Sequence, residues 1–460
     1  MKKIFSAILA VLLLLGLCAC GGNGSTSTET QPQEVGLQAG FGRADVSPLA
    51  PAPMGGYGDG ETRFSSHIMD ETYATCVALQ QSGTTFLIFT VDVVNSEEAV
   101  VSSLRDSIKA DLGIPQENVL IGATHTHSAA IWNGSTSAGC VKAAKEALAD
   151  LAPATMLAGT TKLENMNFVR HYLMNDGTYS GSNFGSTTSG YKSHVMDADN
   201  ELSLIKLERE GKKDILMVNW QSHPASAARQ QDYNGISADF VGYARKKVEL
   251  DAGVHFAYYT GASGNVTPRS EIPGLTPETS STYQSYGASL GEKIIAAMAD
   301  LQPAEGSEMK TAANKFSVEV DHSWDHMIVE ATKAVTVWKQ QDLEAGHKLA
   351  REYGFSSVYH ARAITNRHNF SGNQYRSLNA VRVGSVAFIN NTYEMFCDHG
   401  EYVKENSPFD VTFVITGCNG YIPNEASFEY RSYEADTSAF VKGTGEKLAE
   451  EMARLLNTMQ

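Results

Sequence analysis

From Gly40 onward, short apolar, β-branched runs alternate with segments of helical spacing, and no long linker interrupts the alternation. Runs that are hydrophobic along their whole length belong in strands buried on both faces, so the intervening helices must supply the cover. This pattern predicts an α/β fold in which mixed sheets are flanked by helices, within a single large domain spanning residues 37–460. Strands are expected at Phe86–Val94, Val119–Ala123, Leu202–Leu207, Ile215–Trp220, Phe256–Thr260, Val381–Asn390 and Val411–Thr416. Helices are expected at Glu97–Leu112, Ala138–Leu151, Ala238–Leu250, Ser285–Leu301, His326–Tyr353 and Thr437–Thr458. Gly177–Gly190 and Arg269–Gln284 are rich in Ser, Thr, Gly and Pro and read as loops.

The N-terminus has a different character. Lys2 and Lys3 precede an apolar run from Ile8 to Leu17, which leads into Leu17-Cys18-Ala19-Cys20. A charged start, a short apolar core and a small-residue cleavage site make residues 1–20 an export signal. The last four resemble a bacterial lipobox, with Ala19 before the cut and Cys20 as the acylated residue. Residues 21–36 are polar and read as a flexible linker, so the protein is expected outside the cell, tethered to the outer face of the membrane. Cys76, Cys140, Cys397 and Cys418 are too dispersed for a metal knuckle, and their pairing is open. A net charge of -16 speaks against nucleic acid as a partner, because phosphate binding needs clustered cations to displace counterions.

The strongest chemical signal is Gly122-Ala-Thr-His-Thr-His-Ser128 at the end of an apolar strand. Residues two apart on a strand share a face, so His125 and His127 would look into one cavity, as metal ligands or as hydrogen-bonded polar filler. His223 follows another apolar strand in Asn219-Trp-Gln-Ser-His-Pro224. Two strand-end histidine sites favour a shared metal over either alone. Hydrolytic metal sites commonly add a carboxylate, and Glu394 after Val386–Tyr393 is the best placed, either as ligand or as a glutamate at a strand end. Tyr258 to Pro268 runs from a strand into a small-residue turn, either a setting in which the hydroxyls of Ser263 and Thr267 face a substrate or a tight turn with no catalytic role.

In order along the chain, five blocks resemble the neutral, non-lysosomal ceramidase family. They are Gly42–Pro48 with Met54–Gly58, Asn118–Ser128, Asn219–Pro224 with Ile236–Ala244, Gly264–Pro268, and Asn419–Ile422 with Tyr430–Glu434. The resemblance implies a Zn2+ site with His125, His223, Glu394 and Tyr421 as ligands. It places His127, Tyr433 and Arg170 on the substrate, and gives His127, Tyr433 and Thr267 catalytic parts in hydrolysing the amide of ceramide or a related N-acyl lipid. Three departures stand out. Gly264-Asn-Val-Thr-Pro-Arg269 replaces the family's Gly-Asp-Val-Ser-Pro-Asn, so Thr267 stands where the family has serine. Glu394 follows Asn391-Thr-Tyr rather than Pro-Gly, and the catalytic part is expected without the family's small C-terminal sandwich. A zinc hydrolase of a non-lipid amide or ester, or a surface binding lipoprotein that kept the fold without catalysis, are the other readings.

Overall fold

In the computed structural model, the described residues are 36–57, 63–181, 190–270, 272, 275 and 282–460. The export signal, Cys20 and nearly all of the 21–36 linker lie outside them. Residues 36–460 form one compact unit.

Eight long strands build the larger sheet: β1 (Gln38–Asp45), β2 (Tyr73–Gln81), β3 (Thr84–Val91), β4 (Val119–Ala123), β5 (Ala152–Lys162), β6 (Glu201–Arg209), β7 (Ile215–Trp220) and β8 (His255–Thr260). Their order is β8-β7-β6-β5-β1-β2-β3-β4, with the short strand Gln302–Pro303 added on β5. Most neighbours are antiparallel, but β3–β4 and β7–β8 are parallel. A second sheet holds β9 (Met309–Val318), β10 (Gln374–Val383), β11 (Val386–Asn391) and, beyond the short β12 (Glu394–Met395), β13 (Val411–Thr416), in the order β9-β10-β11-β13. The pair β11–β13 is parallel too.

The two sheets stack face to face over a core that draws Val77 and Ile88 from the larger sheet and Phe388 and Phe413 from the smaller. On the outside of the larger sheet lie α1 (Glu98–Leu112), α2 (Gly134–Ala149), α3 (Asp239–Asp251) and α4 (Tyr283–Ala297). The helices α5 (Ile328–Gln340), α6 (Leu343–Glu352) and α7 (Val358–Arg367) are inserted between β9 and β10 around a small core of their own. On the outer face of the smaller sheet lies α9 (Thr444–Asn457), which packs against α8 (Cys397–Glu405). The result is the expected α/β class with helices flanking mixed sheets, since strands apolar on both faces need cover on both.

Several boundaries differ from the sequence expectation for identifiable reasons. The strand drawn through Val94 stops at Val91, because the following carbonyls turn toward His125. Val381–Asn390 is a hairpin, turned at Gly384 in the left-handed region (φ 56°). The helix expected over His326–Tyr353 breaks after Gln340, where the Asp342 carboxylate accepts from the Ala345 N–H and caps a new helix. The last helix starts at Thr444 rather than Thr437 because Gly443 takes φ 86°. Tyr179–Gly181, read as loop, is a short strand that pairs antiparallel with His171–Leu173 across the intervening turn. Cys76, Cys140, Cys397 and Cys418 are all buried free thiols. No helix among the described residues is long and apolar enough to cross a membrane.

Candidate metal centre

β4, β7, β8, β11 and β13 are members of parallel pairs, and the residues following their carboxyl ends meet at one edge of the sandwich. His125 follows β4, His223 follows β7, Ser263 follows β8, Glu394 follows β11 and Tyr421 follows β13. Ligand sites outside the carboxyl ends of strands are the general rule for sheets of this kind.

Strand alternation is not what aims the first two histidines. β4 has already ended at Ala123, and His125 takes a left-handed backbone conformation (φ 68°) that turns the chain back. Its N–H donates to the Val93 carbonyl at 3.0 Å, and the His127 N–H donates to the Pro224 carbonyl at 3.0 Å, which ties this turn to the loop of His223. The His127 ring fits only because residue 56 is glycine. A Cβ there would sit 2.5 Å from the His127 Cγ, and Gly56 holds φ 93°.

The tautomers follow from the partners. His125 Nδ1 faces the Val94 carbonyl and His223 Nδ1 faces the Ser263 carbonyl at 3.2 Å. Carbonyl oxygens only accept, so both Nδ1 atoms carry the proton and both Nε2 atoms present lone pairs. Those Nε2 atoms lie 2.8 Å apart, and His127 Nε2 lies 3.2 Å from that of His125. Glu394 Oε2 is 3.3 Å from His125 Nε2 and has no hydrogen-bond partner of its own. Lone pairs and a carboxylate this close repel unless a cation lies among them, so the residues present fit a metal ion. Ligand atoms of His125, His127 and His223 all fall within 4.8 Å of one another. Burial pushes His127 and His223 well below their ordinary range, which keeps both rings neutral and able to ligate. Burial opposes charge at His125 as well, yet neighbouring Cys418 and Glu394 outweigh it and draw positive charge to this ring, a proton on Nε2 when no ion takes up its lone pair.

The oxygen donors are set by the short strand pair β12 and β14 (Tyr421–Ile422), whose parallel register puts Glu394 beside Tyr421. Tyr421 Oη accepts from Arg170 Nη2 at 3.1 Å. Arg170 is clamped in turn: Nε donates to Glu434 Oε1 at 2.8 Å and Nη2 to the Gly264 carbonyl at 2.9 Å. The other Glu434 oxygen pairs with His171 Nε2 at 2.7 Å. Burial works against charge on Glu434, but His171 and Arg170 hold its carboxyl down to about 2. Tyr433 lies with its ring 5.8 Å from that of Tyr421, and burial followed by Glu394 raises its phenol.

No family model matches the chain, and no curated protein matches it by sequence. Among solved structures, a neutral ceramidase from Pseudomonas aeruginosa superposes with a TM-score of 0.68 over 93% of this chain and 75% of that one, at 14% identity. A ceramidase complexed with C2 gives 0.67 over 92% and 75%, also at 14%. The fold is that of neutral ceramidase.

Within this neutral ceramidase fold, a cavity of about 750 Å³ opens over the cluster and is lined by His127, His223, Arg170, Thr267, Tyr421 and Tyr433 among others. His125 and Glu394 are not among its lining residues. The sequence-derived site residues therefore come together, but some act through other atoms than expected. Ser263 offers its carbonyl to His223. Asn265, where the family motif has aspartate, uses Oδ1 to accept the Cys397 N–H at 3.0 Å, and its carbonyl accepts from the Arg170 N–H. Thr267 pairs through its backbone with Phe168 and sits at the cavity wall. Glu434, His171, Gly56 and the Val94 carbonyl escaped the sequence reading. Glu434 and Gly56 had a visible signal, their places in the last and the first motif blocks.

Proposed function

We propose that the protein is a zinc-dependent hydrolase of carboxamide bonds, with ceramide or a related N-acyl lipid, cleaved to fatty acid and amine, as the first substrate to test. The observation that carries this is the pair of buried Nε2 lone pairs 2.8 Å apart beside the Glu394 carboxylate, under a substrate-sized cavity. The fold shared with a neutral ceramidase supports the amide as the bond attacked. His125, His223, Glu394 and Tyr421 would hold the ion, with His127 close enough to His125 to join them. A nitrogen and oxygen donor set of this size suits zinc. When bound, the metal polarises the carbonyl and lowers the pKa of water.

The chain's own groups supply the remainder. Burial keeps the Tyr433 phenol protonated, so it can donate to the carbonyl oxygen as that oxygen gains charge. Arg170, locked by Glu434 and the Gly264 carbonyl, adds fixed positive charge beside Tyr421. Neutral His127, whose Nδ1 is buried without a hydrogen-bond partner, is suited to carry a proton toward the departing amine. The Thr267 hydroxyl orients the reacting group from the wall. The C–N bond breaks, with water supplying a hydroxyl to the acyl carbon and a proton to the amine.

A second reading, a zinc hydrolase of a non-lipid amide or ester, draws support from the lining. No Leu, Ile, Val, Met or Phe lines the cavity among the described residues, whereas pockets for lipid chains are predominantly apolar. Elemental analysis of the purified full-length protein, with hydrolysis assays on ceramide and on short amides, tests both. We expect one zinc per chain and turnover that chelation abolishes and zinc restores. Zinc without turnover on any amide or ester would favour a binding lipoprotein of the same fold, and absence of zinc would remove the proposal.

We further propose that Cys20 carries a lipid that tethers the protein to the outer face of the membrane, on the strength of Leu17-Cys18-Ala19-Cys20. Cys20→Ala should move the protein from the membrane to the soluble fraction of fractionated cells. Undiminished retention would count against the anchor.

A further inference from the structure

Behind the histidines the backbone is strained at a residue that the reaction does not use. Asp239, which opens α3, is fully buried and takes a left-handed conformation (φ 55°). Glycine adopts it freely, whereas a side chain makes it costly, and such strain concentrates at functional sites. The carboxylate shows what the strain secures. Oδ2 accepts the N–H groups of Ser226 and Ala227 at 2.8 and 2.6 Å, and Oδ1 accepts that of Phe240 at 2.6 Å. Ser226 and Ala227 lie three and four residues beyond His223, in the loop whose Pro224 carbonyl accepts the His127 N–H.

The same short segment grips the other histidine turn. The Asp239 N–H donates to Ser237 Oγ at 2.9 Å, and Ser237 Oγ donates to Asp70. The Ser237 N–H donates to the Ser128 carbonyl at 2.7 Å, and the Ser237 carbonyl accepts the Thr126 hydroxyl at 2.7 Å. Thr126 and Ser128 flank His127. Residues 237–239 therefore clasp the turn of His125 and His127 on one side and the loop of His223 on the other. All three partners of the carboxylate are donors, so a proton on either oxygen competes with the N–H groups already bound there.

We infer that Asp239 is a positioning residue of the metal centre, a carboxylate that holds the two histidine turns together and releases the His223 loop when it takes up a proton. This rests on the metal-hydrolase reading above and adds a control to it. Burial lifts the Asp239 carboxyl to about 6 against the pull of its three N–H partners, and Asp70 adds to the rise. Asp70 is itself raised by burial, and Arg245 acts on it in the opposite sense. The other titratable groups facing Asp239 are the phenols of Tyr57, Tyr258, Tyr283 and Tyr286, all raised by burial and neutral in this range. For stability the direction is opposite. A carboxyl raised from 3.8 to about 6 costs the folded state in full above pH 6, and protonation relieves that cost as pH falls toward 4. Activity is thus lost over a range in which this group does not lower Tm.

The test compares the zinc-loaded, full-length protein with Asp239→Asn, whose side chain tolerates the left-handed backbone but cannot ionise. From pH 7.5 to pH 5, wild-type kcat should fall about tenfold with a midpoint of about 6, while zinc content and Tm hold. In Asp239→Asn kcat should already be about tenfold low at pH 7.5, and the limb should be gone. Hydrogen exchange of residues 224–230, read by mass spectrometry against the intrinsic rate at each pH, needs neither turnover nor metal. Protection there should drop about tenfold across pH 6 in the wild type and stay level in the variant. An unshifted limb in Asp239→Asn, or wild-type protection that is the same on both sides of pH 6, would overturn the inference. If zinc or turnover is missing altogether, the hydrolase reading fails and exchange alone decides. Should Asp239→Asn not fold, Asp70→Asn takes its place, because loss of that charge moves the midpoint to lower pH, and a midpoint that stays put counts against Asp239.

Discussion

His125→Ala and His223→Ala are each expected to lose stoichiometric metal, and turnover with it should fall about a thousandfold or more, since a Lewis acid contributes several kcal/mol of transition-state stabilisation. Both rings are fixed by a backbone carbonyl at Nδ1. His127→Ala separates the two roles open to that residue. If His127 works on the substrate, zinc stays bound while kcat falls by about a hundredfold or more, the range for a lost acid–base group. If it ligates, zinc goes too. Residue 125 needs a second variant, because its φ of 68° strains any ordinary side chain. Asparagine tolerates that conformation, so His125→Asn tests the imidazole alone. Elemental analysis beside single-turnover kinetics reads all of these, and wild-type zinc content in His223→Ala would defeat the metal assignment.

The second large effect concerns stability. Glu434→Ala should cost about 3–5 kcal/mol in urea unfolding, the range for breaking a buried ion pair from one side. It leaves Arg170 and His171 buried without their carboxylate. The same residue gives the wild type an acid limb. Its carboxyl is lowered from 4.5 to about 2 in the folded protein, so its contribution is fully present above pH 4.5 and is lost as pH falls toward 2. A depression of that size corresponds to roughly 3 kcal/mol at about 1.4 kcal/mol for each tenfold change. Glu434→Gln keeps the shape and should flatten the stability profile between pH 5 and about 3. An unchanged acid limb in that variant would place the sensitivity elsewhere.

The parts of this protein that were legible in its sequence are those that local patterns determine. Strands such as Ile215–Trp220 are short, almost wholly apolar runs, and His125, His127 and His223 stand out because they directly follow such runs. The polar frame around them was not legible. Glu434 is far in sequence from Arg170 and has no periodicity to betray it, and its role exists only through tertiary contact. The Val94 and Ser263 carbonyls have no sequence signature at all, since every residue has a carbonyl. Hairpins and caps lay between these extremes. Gly384 and Asp342 are recognisable turn and cap residues, but an unbroken apolar or helical rhythm on either side concealed the break.

The groups that would hold the ion are drawn from residue 125 to residue 421, and they meet only when both sheets have stacked. Contacts of such long range form slowly, because chain entropy is lost before contact energy is gained. Affinity for the ion therefore does not accumulate as the chain lengthens. Any such affinity would arrive only once the strand ends have met. A chain that crosses a membrane unfolded would leave behind whatever metal its birthplace offered, and would have to take its ion from the supply on the far side.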